Sequence, residues 1–206
     1  MRAVACLLLL SLTLGFGEDR TPWTSSRIHG SPEPPLPYRP ERTLHSYTFH
    51  PSTELDFVPG SNWALVVEQA GKIFGFDRAK PDVIIELADF AKWNGALLEC
   101  YSIVFHPRWG ENRQVYLSFL DLSQNRNIRR IVRFTLLPGS PPSFDLNSAC
   151  LILDWENGGH KGGDLQFGPD GYLYIAIGDG EVPAPPDGQR TGQDISDLDS
   201  SILRID

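Results

Sequence analysis

The 206-residue chain carries 26 acidic against 18 basic side chains, a net charge of −8 that leaves no basic face for a nucleic-acid backbone. Apolar residues make up 41%, enough for a packed core, while 19 glycines and 17 prolines favour many turns over long helices. Beyond Leu14 no apolar run is long enough to cross a bilayer.

The chain opens with Arg2, an apolar run from Ala3 to Leu14 and the small-residue stretch Gly15-Phe16-Gly17, followed by Glu18-Asp19. This is the pattern of a secretory signal peptide over residues 1–17, and it implies export to a periplasmic or extracellular compartment. Cys6 would leave with that peptide. Cys100 and Cys150 remain in a compartment that permits disulfides. Sequence spacing leaves open whether they pair or only fill a core. Without C-x-x-C spacing there is no support for zinc or covalent haem.

Residues 18–47 form a proline-rich arm in which Pro32-Glu33-Pro34-Pro35-Leu36-Pro37 cannot enter a central strand. It is expected to run extended across the surface. Trp23, Ile28 and Tyr38 offer apolar anchors against the first sheet, and a disordered linker is the alternative.

From residue 48 onward one phrase recurs: an aromatic residue, a proline-containing turn, then an apolar strand. Phe57-Val58-Pro59-Gly60 precedes Trp63–Val67, Phe105-His106-Pro107 precedes Val115–Leu117, and Phe167-Gly168-Pro169 precedes Leu173–Ile175. Three copies at intervals of roughly fifty to sixty residues predict about three four-stranded blades of a β-propeller over residues 48–206. A β-sandwich also has short strands and frequent turns but would not repeat the phrase in this way. Closed rings hold about four to eight blades, and an open ring exposes strand edges. The expectation is therefore the N-terminal part of a longer propeller, inactive on its own.

Along these strands His106 sits in a turn phrase and is expected to hydrogen-bond locally. The cluster Arg126–Arg133 interleaves with Ile128, Ile131 and Val132, and reads as a strand with a solvated edge, a phosphate site being the alternative. In the segment His160–Gly180, Leu165 and Phe167 alternate with Gln166, and Leu173, Ile175 and Ile177 alternate with Tyr174 and Ala176. Pro169-Asp170-Gly171 turns the two strands into a hairpin, which brings His160 and Asp179 to the same end. A histidine oriented by a carboxylate is the usual build of a general base. The flanking Gly158-Gly159 and Gly162-Gly163 would let a flat ligand approach the backbone, though glycines are equally normal in a loop. Asp187, Asp194, Asp197 and Asp199 fit no EF-hand spacing and read as a solvated loop rather than a calcium site.

These motifs resemble the soluble, pyrroloquinoline-quinone-dependent glucose and sorbosone dehydrogenases, which are six-bladed β-propellers. Val66-Val67-Glu68-Gln69-Ala70-Gly71-Lys72-Ile73 is similar to that family's first-blade phrase, and Ser102–Pro107 with Asn112 and Val115–Leu117 to its second. Arg130–Phe134, the His160–Gly180 hairpin and Ser201–Asp206 follow in the family's order. The resemblance implies an all-β propeller and an oxidoreductase that moves a hydride from a sugar to the quinone. His160 would be the general base and Asp179 the residue that orients it.

By the same resemblance, pyrroloquinoline quinone and calcium belong to the complete family member, bound by residues expected past Asp206, and this chain alone would hold neither. The partners implied are a sugar substrate, an electron acceptor and a complementing C-terminal half. Glu99 stands where the family places a polar substrate contact, and Leu97-Leu98-Glu99-Cys100-Tyr101-Ser102 departs there from the family's glycine-rich phrase. The competing expectation is a non-catalytic propeller that binds a protein or carbohydrate, as in the hedgehog-interacting proteins.

Overall fold

The computed structural model of the chain describes residues 41–206 apart from 92, 124–126, 161 and 182–189. The expected signal peptide, the expected anchors Trp23, Ile28 and Tyr38, and also Arg126 and Asp187, lie outside the described residues.

Three antiparallel sheets follow one another along the chain. The first holds β1 (Ser52–Phe57), β2 (Trp63–Glu68), β3 (Lys72–Asp77) and β4 (Ile84–Asp89). The second holds β5 (Leu98–Phe105), β6 (Gln114–Asp121), β7 (Ile128–Leu137) and β8 (Ser143–Glu156), with the single-turn helix α1 (Trp109–Asn112) between β5 and β6. The third holds β9 (Gly162–Phe167), β10 (Leu173–Ile177) and β11 (Ile202–Ile205). Each strand pairs with its neighbour in sequence, so every sheet is a meander. The third sheet has three described strands where four were expected.

The recurring phrase marks one place in each sheet. Phe57, Phe105 and Phe167 end the first strands β1, β5 and β9, and the proline turn leads into the second strand.

Strand periodicity assigns the faces. On the second sheet Ile103, Leu117, Val132 and Phe134 point towards the first sheet, and Phe90 there lies 5.1 Å from the rings of both Phe119 and Phe134. Val104, Tyr116 and Ile131 point the other way, onto Leu165, Leu173 and Ile175 of the third sheet. The first sheet is covered on its far face as well, where Leu44 and Phe49 pack on Ala64, Val66 and Phe76. That double burial explains why Trp63–Val67 reads as an unbroken apolar run rather than an alternating one.

The three first strands lie side by side without a shared ladder, so their facing backbone groups need other partners. Side chains supply them. The Glu54 carboxylate on β1 accepts the Ile103 amide of β5 at 2.6 Å, and the Ser102 hydroxyl on β5 accepts the Leu165 amide of β9 at 3.0 Å. Glu54 and Ser102 each stand three residues before the aromatic of their phrase. Asp164 holds the equivalent place on β9, with its side chain exposed.

Two expectations need correction or completion. Arg126–Arg133 does lie largely on a strand, but its edge is not solvated: Arg129 is fully buried and Arg130 pairs with the buried Asp121 at 3.0 Å. Alternation puts Arg129 on the same face as Ile131, the face that packs on the third sheet. Cys100 and Cys150 are both free thiols. They sit on β5 and β8 with two strands between them, about 14 Å at the usual strand spacing. The Cα atoms of a disulfide lie within about 7 Å.

Candidate active site

The β9–β10 hairpin pairs Leu165 with Ile175 and Phe167 with Leu173, as the alternation predicts. Its turn is fixed by Gly171 N–H on the Gly168 carbonyl, and by Asp170, which accepts from Tyr172 N–H and from the Tyr174 hydroxyl. Above the strands the two arms stay joined. His160 N–H donates to the Glu181 carbonyl at 2.7 Å, and Gly159 N–H to that of Gly180.

The hairpin brings His160 and Asp179 into contact, with Nδ1 2.8 Å from Oδ1. Asp179 Oδ1 also accepts the Glu181 amide at 3.1 Å. That amide, followed by His160, holds the Asp179 carboxyl below the usual carboxylate range. An ionised carboxylate can only accept, so His160 Nδ1 carries the hydrogen, and in the neutral ring the lone pair is on Nε2. The His160 side chain is 46% exposed, and its Nδ1 is the ring nitrogen engaged by Asp179.

Three groups to which the sequence reading gave no part in the site hold this pair from behind. Thr191 donates from its hydroxyl to the Asp179 carbonyl at 3.0 Å. Asp199 accepts from Asn157 Nδ2 at 2.8 Å, and the buried Asn157 in turn receives Arg129. Asp199 is thus a half-buried anchor and not a residue of a solvated loop. Arg129 also donates to Ser118 Oγ at 3.2 Å and lies under the Tyr101 ring, 4.8 Å from its centroid. Burial pushes this guanidinium down to about 10. Tyr101 donates to Glu99 at 2.6 Å and accepts from Gln69, so Glu99 is engaged within the protein. His106 accepts the Arg108 amide on Nδ1 at 2.9 Å, the local bond expected of a turn histidine.

A cavity of about 570 Å³ opens beside this end of the hairpin, lined by Thr53, Tyr101, Gly162, Gly163, Asp164 and Gly178 among others. His160 is not on its wall. The glycines serve the protein's own packing. A methyl group on Gly163, at φ 113°, would meet Arg129 Nη1 and Ser118 Oγ at 2.7 Å, and one on Gly162 would meet the Gly178 nitrogen at 2.8 Å. Among the described residues no group of three or more His, Cys, Asp or Glu side chains could hold a metal ion. No helix among them is long and apolar enough to cross a membrane.

Residues 49–206 match the Glucose / Sorbosone dehydrogenase family. The chain belongs to that family. Its fold is similar to the PQQ-bound form of aldose sugar dehydrogenase from Streptomyces coelicolor, at 25% identity and a TM-score of 0.61, over 80% of this chain and 46% of that one. Among curated proteins it is 34% identical to human hedgehog-interacting protein over 113 residues, covering 51% of this chain and 16% of that protein. It is 24% identical to the Escherichia coli aldose sugar dehydrogenase YliI over 73% of this chain and 40% of that one. The chain spans less than half the length of each of these relatives. Its three sheets correspond to about half of a six-bladed sugar dehydrogenase propeller.

The described residues around the cavity do not by themselves fit pyrroloquinoline quinone. That cofactor carries carboxylates, the lining includes Asp164 and no cation, and the glycine backbones are already covered by Arg129, Ser118 and Gly178.

Proposed function

We propose that the 49–206 segment supplies the proton-abstracting part of a sugar-oxidising site in an exported protein of the glucose/sorbosone dehydrogenase family. The observation that carries this reading is the His160–Asp179 contact at 2.8 Å through Nδ1, on a His160 side chain that is about half exposed. His160 takes the proton of a sugar hydroxyl on Nε2 as the adjacent C–H bond breaks, and Asp179 stabilises the imidazolium that forms. Asp199, Asn157 and Thr191 fix the backbone on which the pair is mounted. The signal-peptide pattern of residues 1–17 supports export. Binding of quinone and calcium is assigned to the family and not to the lining residues described above.

The test is dye-linked aldose oxidation by a complete propeller that carries this segment, supplied with pyrroloquinoline quinone and calcium. His160→Ala is expected to lower turnover by about 10²–10⁴-fold, the usual worth of a general base, with quinone affinity unchanged. Equal turnover in the wild type and the variant would refute the base role.

A second reading is favoured by the 34% identity to hedgehog-interacting protein and by a cavity wall that carries Asp164 and no cation. In it the propeller is a non-catalytic module that binds a protein or carbohydrate, and no quinone-dependent turnover appears in the wild type.

A further inference from the structure

We propose that the cleft between the second and third sheets, at the end of β9 remote from His160, binds a carboxylate-bearing sugar ring of the uronate class. Arg133 and Arg108 would take the carboxylate, and Phe167 with Tyr116 the ring face. The cleft holds about 460 Å³, within the size range of small-ligand sites. It lies a full strand from the His160 pair, since Phe167 ends β9 and His160 precedes its start.

Charge is the first argument. Arg133 is half-buried on the β7 face that packs against the third sheet, and among the described residues no carboxylate is paired with it. Arg130, three residues earlier, is paired with Asp121. Arg108 joins Arg133 on the cleft wall, held only loosely by Glu111 at 3.8 Å between two exposed side chains. Two guanidiniums facing one concavity in a chain of net charge −8 repel each other unless an anion lies between them. Asp206 also reaches the wall but is exposed, which leaves the guanidiniums in the majority. The planar fork of arginine matches a carboxylate in two hydrogen bonds.

Shape and polarity are the second argument. Tyr116 and Phe167 stand edge to face at 5.3 Å, and His106 lies 5.2 Å from Phe167. Their electron-rich faces suit the C–H bonds of a pyranose. His106 accepts on Nδ1, and burial and the two arginines hold its pKa down, so it is neutral and its Nε2–H is free to donate to a sugar hydroxyl. A bare inorganic anion would leave this aromatic wall unused.

Calorimetric titration of the full chain with trigalacturonate, galactose and inorganic phosphate tests the assignment. Saturable trigalacturonate binding is expected, with galactose silent and phosphate at least about tenfold weaker. Arg108→Gln and Arg133→Gln should each weaken binding about five- to tenfold. Arg108 is exposed, so its variant removes charge without touching the packing. His160→Asn should leave the affinity unchanged, which separates this site from the proposed dehydrogenase chemistry whether or not that chemistry holds. Equal binding of galactose or phosphate, an unaltered affinity in Arg108→Gln, or no saturation by trigalacturonate would overturn the proposal.

Discussion

Replacing Arg129 by methionine is expected to change global stability by less than about 2 kcal/mol. Breaking a buried charged network commonly costs about 3–5 kcal/mol, so the expectation runs against the usual figure. A guanidinium held at about 10 instead of its ordinary 12.5 keeps its charge at a net cost of about 3 kcal/mol, and methionine relieves that cost. Against this stand the acceptors left behind, two of them among the described residues. Ser118 Oγ loses a bond of 3.2 Å, and Asn157 Oδ1 loses one of 3.5 Å, already at the limit of a useful contact. Each orphaned acceptor costs about 1–3 kcal/mol, the second at the low end, so gain and loss nearly cancel. Methionine fills most of the vacated volume and adapts to irregular gaps.

Urea unfolding followed by tryptophan fluorescence measures the change, with an unaltered m-value as the sign that the fold is kept. Amide exchange at His160 should quicken in the same variant, because Asn157 then loses one of its two described side-chain hydrogen bonds. A loss above about 4 kcal/mol would show that the buried arginine is a net stabiliser and refute the reasoning.

Ser102→Ala should destabilise the protein by about 1–3 kcal/mol, more than a surface serine would, because the buried Leu165 amide loses its acceptor; a change under about 0.5 kcal/mol in urea titration would contradict the side-chain tie between β5 and β9. Burial raises the Glu54 carboxyl above its ordinary 4.5, outweighing the Ser102 and Ile103 bonds that favour ionisation. The native state then holds a proton that the unfolded chain has released, so this group's contribution to stability falls as pH rises from about 4.5 through the raised value. Glu54→Gln keeps an acceptor for Ile103 and removes the charge, so the stability difference between variant and wild type should grow across that window; a difference that stays constant between about pH 4 and 8 would contradict the assignment.

Much of the architecture was legible because it is carried by repetition and alternation. The aromatic–proline phrase located the junction of the first and second strands in all three sheets, and the period-two pattern of Leu165–Ile177 fixed the hairpin that joins His160 to Asp179. The ties between sheets were harder to see. Glu54, Ser102 and Asp164 occupy one position of the repeat but differ in chemical type, so nothing in composition links them. Arg129 reads as polar although its strand position puts it on the inward face with Ile131. Asp199 looks like one more acid in an acidic loop, and only the fold brings it to Asn157. The glycines around His160 were equally ambiguous, since a close ligand and a close backbone demand the same residue. The structure shows the backbone.

The central claim is that Asp179 fixes His160 as a base with its lone pair on Nε2. Long-range nitrogen–proton correlation of the His160 ring at neutral pH tests it without cofactor or substrate. The account predicts the Nδ1–H tautomer in the wild type and its loss in Asp179→Ala. A wild-type ring protonated on Nε2 could not accept a proton there, and that result would contradict the assignment of His160 as the base.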